Sequence, residues 1–474
     1  MARYITTTLP YVNADPHIGH ALEFIQADTL ARSYRLQGEE VFFNTGTDEH
    51  GQKIYEAAQK EGKEVQAYVD HYAGEFEKLG KALNLSYDAF IRTTDKAHIA
   101  AAEEMWRRCD AKGDIYKKAY EGLYCVGCER FLSERDMEGG KCVIHLKEPT
   151  LLKEENYFFK FSNYEGALKE YLSKESVVIP EWRRKELLEF VNNGLEDFSI
   201  SREKERLSWG IPVPGDDSQV MYVWFDALTN YISTLGWPED PQGNFKKFWE
   251  EGQVLQLAGK DQLRFQSLMW QAMLMSADVK NTDQVFYHGF INSGGKKMSK
   301  SLGNVINPYE LVEKYGIDAT RYLLLRHVHP TEDSDITWER LDEWYTAHLV
   351  NGLGNLVSRV MKLSEQYLDA PITIPEPAPF PKELSLDSFT FNEALDYIWK
   401  RIGDADERIT KEEPFKVVKT DLERGKRIIS ELVEEVYWIG RFLYAFMPEA
   451  NEKIKQAVKE NRKPENLFPR IDSK

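Results

Sequence analysis

His17-Ile18-Gly19-His20 sets two imidazoles around a glycine where an apolar run gives way to a helical pattern. The start of a helix offers backbone N–H groups and the positive end of the dipole, which favour phosphate. The two imidazoles there can donate hydrogen bonds to phosphate oxygens, and Gly19 lets a flat ring approach the backbone. Taken alone, the four residues also fit a helix start with two incidental histidines. Lys297-Met298-Ser299-Lys300-Ser301 follows Gly294-Gly295 in a loop. Glycines allow such a loop to move, and its lysines can reach a triphosphate as point charges. A solvated basic loop is the plainer alternative. A third pattern is Cys125-x₂-Cys128 with Cys142-x₂-His145. Three thiolates and one imidazole complete a tetrahedral set, the closed structural kind of Zn²⁺ site. No position is left open for catalysis. Such a metal would staple a segment that lacks a core of its own. The remaining cysteine, Cys109, fits no ligand spacing.

The elements that must position these residues follow from periodicity. Tyr4-Ile-Thr-Thr-Thr reads as a strand, and a helix begins near His17 with Ile18, Leu22 and Ile25 on one face. Gly38 closes that helix, and Val41–Thr45 reads as the next strand. Strand, helix, strand predicts a parallel α/β sheet. From about residue 115 to 220, cysteines, glycines and short apolar pieces replace that order, which predicts an insertion. Val220–Phe225, Val254–Ala258 and Gln284–His288 resume the strand pattern, with Trp224 at a strand end and Tyr231 on the helix after it. After about 345 the chain reads as helical. Prolines at 371, 375, 377, 379 and 381 mark an extended link, and long amphipathic helices run from Asp387 to about Lys459.

Composition narrows the class. The chain has 474 residues, 42% hydrophobic and 29% charged, enough for several packed units of a water-soluble protein. No apolar run is long enough to cross a bilayer, and the first residues lack the features of a signal peptide. A cytoplasmic location is expected, with no membrane partner. Lysines and arginines number 61 against 78 acidic residues, a formal net charge of −17. That balance argues against a general nucleic-acid binder and against DNA as a partner. RNA would require a restricted basic face.

With an α/β fold between them, the two phosphate-type motifs together resemble the class I aminoacyl-tRNA synthetases. Three further segments resemble the methionyl-tRNA synthetase family: Thr8-Leu9-Pro10-Tyr11-Val12-Asn13, Tyr222-Val-Trp-Phe-Asp-Ala227 and Phe286-Tyr-His-Gly289. The likeness extends over nearly the whole chain. It implies a split Rossmann-type parallel sheet with a zinc-knuckle insertion and a C-terminal all-α domain. The boundaries expected are 1–114 and 221–293 for the two halves of the core and 115–220 for the insertion. Residues 294–345 would form the loop-bearing junction, and 346–474 the anticodon-binding helices. The activity implied is a methionine–tRNA ligase: ATP and L-methionine give methionyl-adenylate, and the methionyl group passes to the 3′ end of tRNA.

By the same resemblance, His17, Gly19, His20, Lys297 and Lys300 bind ATP, with Mg²⁺ accompanying it. The two histidines and two lysines then act in catalysis. Leu9, Tyr11, Asp48, Trp224, Ala227, Leu228, Tyr231 and His288 would line the methionine pocket, with Asp48 receiving the α-amino group. Aromatic rings suit a thioether, at ~0.3–1.5 kcal/mol per sulfur–aromatic contact. The alternatives are a helix cap for Asp48 and ordinary core for the rings. Leu228 departs from the proline of some relatives. Gly259–Phe265 resembles a segment near ATP, but the histidine usual after it is Gln266 here, and position 266 receives no role. Asn351, Asn355 and Arg359, spaced four apart on one helix face, resemble anticodon contacts; a polar helix face is the plainer reading. Phe415 stands where some members stack a tryptophan on an anticodon base. Relatives specific for valine, isoleucine or leucine carry a large editing insert, whereas the insert here has room for little beyond the knuckle. The cysteine-specific enzyme would hold zinc in its catalytic core. A silent RNA-binding paralogue would not need both phosphate motifs, and a small nucleotidyltransferase would need neither the knuckle nor the helices. With no further domain expected after the helices, the chain is expected to be a monomer.

Overall fold

The computed structural model describes residues 1–127, 130–132, 134–144, 146–298, 304–375 and 380–471. The chain divides into two compact units built from interleaved segments. One takes Met1–Pro16, Glu40–Lys78 and Tyr87–His288; the other takes His17–Glu39, Leu79–Ser86 and Gly289–Lys474.

The first unit is organised by a six-stranded sheet. Its spatial order is Ala89–Arg92, Glu40–Thr47, Ala2–Thr6, Gln253–Gly259, Gln284–His288, Val178–Ile179, and every pairing is parallel. The order reverses at Ala2–Thr6: successive strands go to one side, and the second half of the core goes to the other. This is the split parallel sheet expected from the sequence. Gln253–Gly259 is buried from Val254 onward, as suits a central parallel strand covered on both faces.

Segment 115–220 pairs Ile115–Cys125 with Thr150–Phe159 in a long antiparallel ladder, flanked by Phe198–Ser199 and Arg130–Phe131. Val178–Ile179, from the same segment, is the edge strand of the parallel sheet. Leu168, Tyr171, Leu172, Leu187 and Val191 around it join the main core. A two-residue strand leaves no period to read, which is why the sequence shows only an insertion here.

One element differs from expectation. The strand predicted over 220–225 ends at Met221, and Val223–Ala227 is helical, followed by Asn230–Ser233. Trp224 therefore sits on a helix, not at a strand end. A short buried apolar run rich in aromatic and β-branched residues suits either state. Tyr231 lies on a helix as expected.

In the second unit, Ile18–Leu36 ends before Gln37, and Gly38 takes φ +83 in the turn that closes it. Ile291–Ser293, Lys296–Lys297 and Ser334–Asp335 form a small sheet. Helices follow. In Phe391–Glu412 the buried Phe391, Ala394, Leu395, Ile398, Ile402, Ala405 and Ile409 repeat at the helical period. The described residues of 371–381 carry neither helix nor strand.

Candidate functional site

The C-terminal edge of a parallel sheet is where such folds bind ligands. In the first unit several residues expected to line the amino-acid pocket lie at that edge. Beyond Ala2–Thr6 the chain passes half-buried Leu9 and reaches Tyr11, which forms a parallel β-bridge with Asp48 just past Glu40–Thr47. The bridge is held by Val12 N–H to Asp48 O at 3.2 Å and Asp48 N–H to Pro10 O at 3.0 Å. Asp48 does not cap a helix. The next helix, Gln52–Lys60, is preceded by Gly51 with no side-chain cap. A carboxylate buried at a strand end without that local task suits an ammonium ligand.

Tyr11 meets the edge of Trp224 at 5.9 Å between ring centroids. Trp224 stacks on Phe265 at 4.0 Å with the planes 8° apart. Ala227, Leu228 and Tyr231 continue from Trp224 and are all buried. The Tyr231 hydroxyl donates to Gln266 Oε1 at 3.1 Å. Trp224 Nε1 and Gln266 Nε2 are buried donors with no hydrogen-bond partner among the described residues. His288 ends its strand in register with Gly259. A Cβ at Gly259 would stand 2.7 Å from Asp261 Oδ1 and 3.6 Å from His288 Cε1, so a side chain there would crowd both.

The structure thus brings Tyr11, Asp48, Trp224 and Tyr231 to one sheet edge and adds Phe265, which the sequence placed only in a segment near ATP, and Gln266, which it left without a role. Both lie on a π-helical turn, Phe265–Met269, a geometry frequent at functional sites. The strand-then-polar segment Gly259–Phe265 was the available signal, but it pointed toward ATP.

In the second unit, His17 caps Ile18–Leu36. Its Nδ1 accepts from Gly19 N–H at 3.1 Å, while His20 Nδ1 accepts from His17 N–H at 3.2 Å. The rings stack at 3.6 Å. A neutral imidazole that accepts at Nδ1 carries its proton on Nε2, so each ring presents an N–H donor at its far end. A Cβ at Gly19 would stand 2.9 Å from His17 Cε1, which explains the glycine between them. Gly294 and Gly295, with φ +63 and +72, turn Ile291–Ser293 back into Lys296–Lys297. Two successive positive φ values are what a tight hairpin of this kind requires. Gly295 N–H donates to Asp335 Oδ1 at 2.6 Å. The Lys297 side chain and all of Lys300 lie outside the described residues.

Asn351 and Asn355 are exposed, Arg359 is half-buried, and Arg359 pairs with Asp406 at 2.5 Å. Asn351 belongs to a π-helical stretch, Tyr345–Gly354, and Asn355 begins the α-helix after it. The even four-residue spacing read from the sequence therefore spans a change of helical pitch. Phe415 is 40% exposed at the start of Pro414–Thr420.

Of the predicted metal ligands, Cys125 and Cys142 are buried in one small cluster with Leu132, and Met137 packs against it. Cys128 and His145 lie outside the described residues. Among the described residues no three metal-ligating side chains gather. Two buried cysteines, on the Ile115–Cys125 and Lys141–Cys142 strands, fit half of a thiolate site.

The sequence model described as tRNA synthetases class I (M) matches residues 3–142 and 136–361. The methionine–tRNA ligase of Rhizobium meliloti is 40% identical over 474 residues, 96% of this chain and 91% of its own. That of Fusobacterium nucleatum is 39% identical over 469 residues, 95% of this chain and 73% of its own. The Mycobacterium tuberculosis methionyl-tRNA synthetase, solved in complex with methionyl-adenylate, matches with a TM-score of 0.89 at 35% identity, covering 99% of each chain. On a family match that spans most of the chain, and on relatives alike over almost all of it, this chain belongs to the methionyl-tRNA synthetase family.

Proposed function

We propose that this chain activates L-methionine with ATP and transfers it to tRNA through the residues described above. The observation that carries the residue assignment is the aromatic pocket beside buried Asp48 at the C-terminal sheet edge. Asp48 takes the substrate ammonium. Tyr11, Trp224, Ala227, Leu228 and Tyr231 surround the thioether side chain, with Leu9 and His288 at the neighbouring strand ends. The methionine carboxylate attacks the α-phosphorus of ATP and diphosphate leaves. The terminal ribose hydroxyl of tRNA then attacks the adenylate's carbonyl carbon, and AMP leaves.

His17 and His20 donate to phosphate oxygens from the helix start, and Gly19 keeps that approach open. Lys297 and Lys300 neutralise charge that develops on the phosphates, where positioning and electrostatics supply most of the rate. Mg²⁺ accompanies ATP and screens its charge. Asn351, Asn355, Arg359 and Phe415 read the anticodon. Cys125, Cys128, Cys142 and His145 hold one structural Zn²⁺ that fixes the knuckle. The domain boundaries expected from the sequence belong to this reading, as do the cytoplasmic location and the monomeric state. No helix among the described residues is long and apolar enough to cross a membrane.

The test is amino-acid-dependent diphosphate–ATP exchange across the twenty amino acids. Methionine alone should support strong exchange. Lys300→Ala should lower it by about 10²-fold or more with the fold intact, since the lost charge acts mainly in the transition state. Exchange equal to the unmodified protein would remove that loop from the mechanism.

A further inference from the structure

We propose that Asp226 is the positioning residue of the amino-acid pocket, holding the Asp48 segment and the aromatic wall at the separation that fits methionine. The proposal rests on the methionine reading of that pocket. Asp226 lies on Val223–Ala227, two residues after Trp224 and one before Ala227, and its side chain is fully buried. Each carboxylate oxygen meets an imidazole. His50 Nδ1 lies 2.7 Å from Oδ2, and His98 Nε2 lies 2.7 Å from Oδ1. His98 Nδ1 in turn lies 3.0 Å from Ser233 Oγ.

The three partners reach different walls of the site. His50 is two residues past Asp48. Ser233 is two residues past Tyr231. His98 belongs to Lys96–Ala111. One carboxylate therefore joins the strand end that carries the ammonium anchor to the helices that carry the aromatic rings. Burial works to raise the Asp226 pKa, yet the imidazoles, His50 foremost, hold it below its ordinary value. An ionised carboxylate only accepts, so His50 must present Nδ1–H and His98 Nε2–H. Both ring tautomers are thereby fixed.

The Asp48 segment is anchored on its other flank as well. Arg92 Nε and Nη2 donate to Glu49 Oε1 and Oε2 at 2.6 and 2.8 Å, and Trp209 Nε1 donates to Glu49 O at 2.7 Å. Asp48 is thus followed directly by two residues that cannot shift without breaking these bonds. A carboxylate between two imidazoles is an expensive way to add stability, because each polar group must be desolvated. What it supplies is a fixed spacing, and spacing is what a pocket needs to grip a substrate's ammonium and side chain together.

Asp226→Asn keeps the shape but removes the charge and replaces one acceptor with a donor, so one imidazole must either change tautomer and give up its other contact or lose its partner. Exchange kinetics should show the methionine KM raised about tenfold, with the ATP KM changed less than twofold. Preference for methionine over norleucine and ethionine should fall together with it. Two further variants separate positioning from folding. His50→Asn retains an N–H near the Nδ1 position and should stay within about threefold of the unmodified protein; His50→Leu should resemble Asp226→Asn. The proposal is overturned if Asp226→Asn and His50→Leu lower the melting temperature but leave the methionine KM and side-chain preference unchanged. It is equally overturned if the two KM values rise in parallel. Asp48→Asn is the control for the pocket itself. If it leaves the methionine KM unchanged, the pocket assignment fails, and the role of Asp226 fails with it. If it raises that KM and Asp226→Asn does not, only the positioning role fails.

Discussion

Cys109 and Cys142 are almost equally buried but lie in different surroundings. Cys109 lies in the apolar core on Lys96–Ala111, where burial pushes its thiol up to about 12. Such a thiol is inert at neutral pH, because the thiolate is the reactive form. Cys142 shares its small cluster with Cys125, and both belong to the proposed Zn²⁺ set. Of the four cysteines, then, 4 − 1 = 3 should be bound to metal. Titration of the native protein with an organomercurial should release one Zn²⁺ per chain at three equivalents of reagent. Release only after a fourth equivalent would place Cys109 in the site, and absence of released metal would remove the site. Gln266 shows the limit of residue type as a guide. Nothing about a glutamine marks it as a pocket residue, and this one replaces the histidine usual at its position. Only the buried Tyr231 hydroxyl on its Oε1 and the unpartnered Nε2 reveal its place.

Among the elements, the long C-terminal helices were legible because their apolar residues repeat over several turns, and no other period fits. Trp224 was misplaced because Met221 to Phe225 is short and apolar throughout, so its residues do not choose between strand and helix. The π-helical turns at Phe265–Met269 and Tyr345–Gly354 were equally hidden. Residue types favour an i→i+5 turn no more than an i→i+4 turn, so the sequence does not mark where one replaces the other. The second turn bears on the anticodon assignment. Arg359, next to this change of pitch, pairs with Asp406, and both side chains are more than a third exposed. An exposed pair of this kind contributes only ~0.2–1 kcal/mol, so RNA can displace it at small cost. Arg359→Ala should leave methionine-dependent exchange unchanged and lower aminoacylation at limiting tRNA by ~1–3 kcal/mol in transfer efficiency. Asp406→Asn frees the guanidinium and should not lower aminoacylation. An equal loss in both variants would mean that the pair serves only to tie two helices together.

At the scale of the whole molecule, the division into two interleaved units was not legible. Ile18–Leu36 lies in sequence between two strands of the parallel sheet, yet it belongs to the compact unit that contains the C-terminal helices. Apolar periodicity shows that a helix has a buried face, but not what covers it. One fully buried ion pair lies where that unit's three segments join. Arg321 Nη1 lies 2.7 Å from Asp28 Oδ2, with neither side chain exposed. Arg321 also donates to the carbonyl oxygens of Leu83, Ala445 and Phe446 at 3.2, 3.0 and 2.8 Å. Asp28 accepts from Ser86 N and Oγ, both at 2.6 Å. The three segments 17–39, 79–86 and 289–474 therefore meet at one guanidinium and one carboxylate. Arg321→Met fills similar space but leaves three carbonyls without their donor and Asp28 with only Arg32, at 2.7 Å, as ion-pair partner, and breaking such a buried pair costs up to ~3–5 kcal/mol. Burial opposes ionisation of Asp28, but Arg321 and then Arg32 hold its pKa below the ordinary value. A depressed carboxylate contributes stability above its unfolded pKa of about 3.9 and loses it as pH falls through the folded value. The variant has less of that contribution to lose. Denaturant unfolding should therefore show a large gap between the two proteins at about pH 7. That gap should narrow as pH falls below about 5 and on through the lowered folded value. A gap that stays constant with pH would assign the loss to packing around Arg321 and not to its charge on Asp28.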